Sequence, residues 1–410
     1  MDKGNTIVSL DLGTTKICAL VGEISGDHLD IVGVGMVPSK GLRRGVVINI
    51  DETVEAIRSA VNSAEVMGGY RIRSAYVGIA GGHIKSMNSS GVVAISRGRE
   101  ITQMDIDRAI ETARVVSIPN DREVIHVIPQ SFAIDDQEGI HNPVGMMGSR
   151  LEVEVHLVTG AVASAQNLIK SVEKAGLGVA DVMLEPIASG RAVLTEDEMD
   201  LGVILIDMGG GTTDIAVYNN GSIRHTSVLA IGSAQITNDI AIGLRTPINQ
   251  AEELKCNFGR ATTEGIAPTD QLEVPGVGGR PARRVPLVAL VEIITPRLEE
   301  ILTLARREVQ KSGFSDRLAG GIVLTGGGSK IAGITEVAEK VFDLPARIGT
   351  AMGIGGLKEI STDPIYATGA GLLLLAMDWG GSSAALSKLS DSNLFRRLTE
   401  RMKRWLEGIF

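Results

Sequence analysis

Asp207-Met-Gly-Gly-Gly-Thr-Thr-Asp214 is the stretch of this 410-residue chain best suited to chemistry. Gly209, Gly210 and Gly211 let the backbone turn sharply and come close to a ligand, with N–H groups free to point at anionic oxygens. Thr212 and Thr213 add hydroxyl donors. Asp207 is placed to hold water around a hard cation, which prefers oxygen ligands. A similar motif stands roughly two hundred residues earlier: Asp11-Leu-Gly-Thr-Thr-Lys16, with Gly13, Thr14 and Thr15 in its turn and Lys16 as its closing charge. A third glycine turn, Gly326-Gly327-Gly328, follows the apolar run Gly321–Thr325.

The elements that must position these turns are short apolar runs. Ile7–Leu10 and Ile17–Val21 flank the first motif, and Gly202–Ile206 and Ile215–Tyr218 the second, so each reads as strand, tight turn, strand. The interval is too long for a solenoid repeat. It fits two duplicated halves, each offering a phosphate hairpin to a shared cleft. The third turn precedes a helical pattern from Ile334 to Phe342. Together the three resemble the phosphate-one, phosphate-two and adenosine motifs of the actin/Hsp70/sugar-kinase superfamily. That resemblance implies an actin-like α/β fold with a duplicated ribonuclease H-like core, binding ATP and Mg²⁺. Asp11 and Asp207 would then hold the metal through its waters.

Glu185 opens a predicted helix close in sequence to the second hairpin. A carboxylate there can orient water in line with a terminal phosphate. Acidic residues are also common in a first helical turn because they complement the helix dipole.

Composition narrows the classes. Charged residues are 22% and hydrophobic residues 44%, as in soluble globular proteins. A net charge of −9 with 3% aromatics argues against a nucleic-acid partner. Six scattered histidines suggest no zinc site, and Cys18 and Cys256 read as reduced core residues rather than a disulfide. No apolar run approaches the ~18 residues of a membrane span and no signal peptide is evident, so a cytoplasmic protein is expected.

In chain order, residues 1–80 and 156–200 are expected to form the first core subdomain, interrupted by an insertion over 81–155 with its own strands and a helix from Thr102 to Val116. Leu151–Thr159 is expected to return to the main sheet, and Asp51 to cap the helix that runs to about Met67. Residues 201–230 and 300–378 make the second core subdomain, and 231–299 a smaller one. That smaller part carries a cationic Gly/Pro loop with Arg280, Arg283 and Arg284. Residues 379–393 read as a flexible linker. In 394–410, Phe395, Leu398, Met402, Trp405 and Ile409 form one helical stripe, with five basic residues against two acidic ones on the rest. A basic amphipathic helix at the end of an acidic body reads as an interfacial membrane anchor.

With these parts assembled, the chain resembles the FtsA family of actin-like bacterial division proteins. The likeness spans nearly its whole length and is closest at His126–Gln130, Gly139–Gly145, Val203–Tyr218, Val277–Pro281 and Gly321–Gly328. It implies that the insertion is a relocated subdomain. It also implies filament formation at the cytoplasmic face of the inner membrane at the septum. The C-terminal peptide of the tubulin-like protein FtsZ is expected to dock around Arg280, Arg283 and Arg297. Other division proteins, the FtsN cytoplasmic tail among them, are expected on the insertion. Glu252 and Lys255 match the family's Ala-Glu-x-x-Lys pattern near ribose and adenine. ATP binding is implied, and hydrolysis is left open. The alternatives are a sugar or acetate kinase of the same fold, which needs no basic tail, and an MreB-like or pilus-assembly ATPase.

Overall fold

The strand Val203–Met208 is buried at every position, the signature of a strand covered on both faces. In the computed structural model, which describes residues 6–96 and 98–378, it is the middle strand of a five-stranded sheet. The sheet order is Ser222–Leu229, Thr213–Asn219, Val203–Met208, Ile322–Thr325, Ala346–Ile348. The first two pairings are antiparallel and the last two parallel.

The first half repeats this plan. His28–Pro38, Lys16–Ser25, Thr6–Leu12, Ser74–Ile79 and Gly178–Leu184 follow one another with the same sense of pairing at each step. Gly355–Gly356 adds a short edge strand from late in the chain. The expected duplication is therefore one of topology as well as of motif.

Helices fill three layers around the two sheets. Ile50–Gly68 and Val162–Lys174 cover the outer face of the first sheet through Ile57, Ala60, Leu168 and Val172. Ser233–Gly243, Ile248–Phe258, Leu287–Lys311 and Ile334–Phe342 pack with the second sheet through Ile240, Leu298, Leu302 and Val337. Between the sheets lie Glu185–Val193 and Ala367–Asp378, packed with Leu20 of one sheet and Leu205 of the other. Only small residues let these two inner helices meet: a Cβ on Gly371 would stand 1.8 Å from the Ala188 carbonyl oxygen.

Several local expectations change. The cap of helix Ile50–Gly68 is Asn49, whose side chain accepts from the N–H groups of Asp51 and Glu52. Asp51 sits inside the first turn, where its charge suits the dipole. Cys256 is exposed, and only Cys18 is in the core. The strand expected to return to the main sheet instead runs from Arg150 to Ala161 within the inserted four-stranded sheet, paired with Lys85–Ala94 and Arg122–Ile134. The linker 379–393 and the stripe Phe395, Leu398, Met402, Trp405 and Ile409 lie outside the described residues.

The inserted sheet is clasped to strand Ser222–Leu229 by polar groups. The Ser86 hydroxyl donates to the Thr226 carbonyl (2.7 Å), Gln130 Nε2 to Ile223 O (2.6 Å), and the Ser222 hydroxyl to Gln130 O (2.8 Å). His156 is buried at the centre, 2.7 Å from Asn88 Oδ1 and 2.9 Å from the Thr226 hydroxyl. Asn88 Nδ2 donates to Arg224 O, which turns its oxygen toward His156. Nδ1 of the neutral imidazole therefore carries the proton, and Nε2 accepts from Thr226.

Burial, and then the neighbouring His225, lower the pKa of His156 from its ordinary 6.5 to about 3. As pH falls through 6.5 the unfolded chain takes up this proton while the folded one does not. Stability contributed by the neutral ring is thus complete above about pH 6.5 and declines toward pH 3, with a slope nearing 1.4 kcal/mol per pH unit. His83, lowered to about 4, and His225 act in the same direction. His156→Gln should therefore flatten, without abolishing, the fall in melting temperature between pH 7 and pH 5. An unchanged slope in thermal melts would mean that the histidine does not contribute this linkage.

Candidate functional site

The two hairpins meet face to face where the sheets converge. A Cβ on Gly210 would lie 2.2 Å from Thr15 Cγ2, and one on Gly211 2.4 Å from the Thr14 hydroxyl, so the second turn can only be glycine at this distance from the first. The N-terminus of helix Ser233–Gly243 closes the second turn from behind. Ser233 N–H donates to Gly209 O and Ala234 N–H to Gly210 O. In the first turn, Gly45 N–H donates to the Thr14 hydroxyl. Thr213 spends its own hydroxyl on the Ile231 carbonyl, so it braces the turn and is not free to meet a ligand.

Charge converges here. Asp11 and Asp207 end their buried first strands at 5% and 6% exposure. Asp214 lies directly across the strand pair from Asp207, also buried, with Oδ1 unpartnered. Glu185 begins its helix against Gly78. Lys16 supplies the countercharge, 2.5 Å from Asp11 Oδ2. Burial works to depress Lys16, but Asp11 overrides it and carries the ammonium above its usual range. Burial raises Glu185 well above the carboxylate range, reinforced by Asp11, Asp214 and Asp207. Asp214 is raised by burial and by Asp207. Asp207 is raised as well, by burial first, although hydrogen bonds from Ser189 and Thr368 oppose it.

The third turn stands behind this cluster. Gly326 has φ +80°, and a Cβ there would meet Asp207 Oδ1 at 2.2 Å. Gly328 abuts Met208, and Gly327 packs beside Ile365. Farther along, Lys255 is buried and donates to Glu252 Oε2 (2.8 Å), the Thr237 hydroxyl (2.9 Å) and Ser233 O. Burial would raise the pKa of Glu252, but Lys255 brings it below its ordinary value. These two residues lie against the helix that closes the second hairpin.

The residues suit an anionic ligand carrying a hard cation. The facing glycine turns bring two stretches of backbone close together, Lys16 stays in its charged form, and the buried carboxyl groups raise one another's pKa. Among the described residues no three His, Cys, Asp or Glu side chains are placed for direct ligation of a metal ion.

The cationic positions lie elsewhere. Arg280 is exposed in the loop. Arg283 donates to Leu244 O at 2.6 Å, on a strand paired with Gln271–Val274. Arg297, in helix Leu287–Lys311, is bound by Asp239 at 2.5 Å and by Glu300, so its charge is already matched.

Three residues of the cluster had not been singled out. Asp214 had a signal, since both hairpins close on a charged residue. Ser189 and Thr368 had none, because each lies in a helix whose place only the fold determines.

Comparison with known proteins gives a consistent answer. A family model described as cell division protein FtsA matches residues 204–371, and one described as the SHS2 domain inserted in FtsA matches residues 81–159. The cell division protein FtsA of Pseudomonas aeruginosa is 47% identical, covering 100% of this chain and 99% of that protein. That of Escherichia coli strain K12 is 39% identical, covering 98% and 96%. Among solved structures, the PilM–PilN type IV pilus biogenesis complex matches with TM-score 0.65 and 16% identity, over 90% of this chain and 97% of that one. MreB5 of Spiroplasma citri bound to ADP matches with TM-score 0.55 and 14% identity, over 95% and 99%. At such identities the structures speak for the actin-like fold alone, while the full-length sequence matches speak for more: this chain belongs to the FtsA family of cell division proteins.

Proposed function

We propose that this actin-like division protein binds ATP with Mg²⁺ between its two hairpins, polymerises at the cytoplasmic face of the inner membrane, and anchors FtsZ there through the FtsZ C-terminal peptide. The observation that carries the nucleotide part is the convergence of Asp11, Lys16, Asp207 and Asp214 on two glycine turns in contact. Likeness in fold to MreB5, whose structure was solved with ADP, favours the same reading. When bound, the metal would supply charge stabilisation to the phosphates, with Asp11 and Asp207 holding its waters. The glycine turns would cradle phosphate oxygens, and Glu252 and Lys255 would border the ribose and base. Glu185, at the edge of the cluster, is the residue for orienting a water.

On this reading residues 81–155 recruit later division proteins, for which the FtsN tail is a candidate, and residues 231–299 receive FtsZ. The membrane part rests on the sequence of the tail. Among the described residues no helix is long and apolar enough to cross a membrane. A stripe of five apolar residues, each worth roughly 1.5–3 kcal/mol when fully buried, offers on the order of 5 kcal/mol when buried in part. Each net positive charge near an anionic leaflet adds about 1 kcal/mol, screened by salt. One tail would therefore bind reversibly, and a filament of many tails far more firmly.

Three outcomes test the parts separately. Asp207→Ala should weaken Mg-ATP binding by about tenfold or more, equivalent to about 1.4 kcal/mol. Wild-type affinity in that variant by calorimetry would remove Asp207 from the site. Arg280→Glu, which breaks no ion pair among the described residues, should lower the affinity of a fluorescent FtsZ-tail peptide severalfold, as an exposed charge pair is worth about 1 kcal/mol or less. Unchanged anisotropy would move the dock elsewhere. Trp405→Glu should release the protein from anionic vesicles in flotation, whereas raised salt should only weaken attachment. A variant that still floats would exclude the tail as anchor.

A further inference from the structure

Asp207 touches two hydroxyl groups that neither hairpin supplies. The Ser189 hydroxyl donates to Asp207 Oδ2 at 2.5 Å, and the Thr368 hydroxyl to the same oxygen at 3.0 Å. The two hydroxyls are 3.1 Å apart. All three residues are buried, Ser189 completely and Thr368 to 8% exposure. Ser189 belongs to helix Glu185–Val193 and Thr368 to helix Ala367–Asp378, the two inner helices between the sheets.

The arrangement divides the labour of the carboxylate. Oδ2 accepts hydrogen bonds from both hydroxyls and is turned into the protein. Oδ1 lies beside Gly326, where any side chain would strike it, and no hydrogen bond to it is found among the described residues. A carboxylate whose χ2 is otherwise broad is thereby fixed with one oxygen committed and the other open. Two donors also favour the ionised form, against a burial that disfavours it.

The supports are themselves held at a set distance. Gly371, one turn beyond Thr368, lies against the Ala188 carbonyl, the residue before Ser189. No side chain separates the helices there, so both hydroxyls can reach one oxygen.

We propose that Ser189 and Thr368 are positioning residues that orient Asp207 so that Oδ1 faces the water shell of the nucleotide's divalent cation. This rests on the proposed nucleotide site and adds the residues that set its dependence on metal. The two hydroxyls act on the carboxylate, not on the phosphates. Their loss should therefore reduce the gain in ATP affinity that Mg²⁺ confers and leave metal-free binding alone.

The experiment is calorimetry of the full chain with ATP in excess Mg²⁺ and in EDTA, beside thermal melts of each protein. Ser189→Ala deletes one atom and Thr368→Val is nearly isosteric, so either folded variant suffices. In each, the ratio of the two affinities should fall about five- to tenfold from the wild-type ratio, with the EDTA value within about twofold of wild type. Thr368→Ser, which keeps the hydroxyl, should retain the wild-type ratio. An unchanged ratio in Ser189→Ala and Thr368→Val, with only a lowered melting temperature, would overturn the proposal and leave the hydroxyls a purely structural role. A fall in Thr368→Ser equal to that in Thr368→Val would overturn it too, since packing and not the hydroxyl would then be responsible. The proposed nucleotide site fails by a separate sign: wild-type protein that binds no ATP in either buffer.

Discussion

Acidic groups brought together in a buried place are the constraint around which this molecule is built. Asp207 and Asp214 face each other across one strand pair, with Asp11 and Glu185 near enough to add to the repulsion and Lys16 as countercharge beside Asp11. Such a cluster is costly in a closed protein, where a charge without a partner loses its hydration. It persists because two independent hydrophobic cores fix the strands that carry it, each strand continuous with a fully buried run. On the proposed reading, a ligand that brings a hard cation would offset the repulsion, whereas an anion alone would meet it.

The insertion is attached by polar as well as apolar contacts. Its sheet has its own core around Ile106, Ile110, Leu151 and Val153 and meets the second half through a seam of hydrogen bonds to strand Ser222–Leu229. That strand pairs with Thr213–Asn219, the outgoing arm of the second hairpin. The seam thus grips the very sheet that holds Asp214. Polar contacts demand correct geometry and tolerate little sliding, so the seam orients the insertion toward the hairpin, while Ile84, Ile125 and Val158 bury against Ile79, Val182 and Leu184 of the first half.

Much of this was legible in the sequence where a single local pattern carried the information. The hairpins, the third glycine turn and the insertion are written in glycine spacing and apolar runs, and the duplication follows from comparing Asp11–Lys16 with Asp207–Asp214. What escaped needed either precise local geometry or contacts between distant residues. Asn49 and Asp51 both suit a cap by type, and only the backbone bend at Asn49 separates them. Leu151–Thr159 alternates as any half-buried strand does, so pattern could not say which sheet it joins. Thr213 offered a donor by type, but its hydroxyl already serves Ile231. Arg297 looked like a free cation because Asp239, fifty-eight positions away, is invisible to a local reading.

The inner helix Ala367–Asp378 connects these observations. Its first turn holds Thr368 against Asp207, its middle packs by Gly371 on the neighbouring helix, and its end is pinned by Arg191 to Asp378 at 2.7 Å. Twelve residues at 1.5 Å each make a rod of about 18 Å. It is buried at ten consecutive positions from Ala367 to Ala376, so it can shift only as a unit with its surroundings. One end of this rod touches the carboxylate proposed to sense the cation, and the other gives onto the segment proposed to reach the membrane. Moving the Thr368 hydroxyl would therefore mean moving this packed helix against both sheets, which is why Asp207 is held in one orientation.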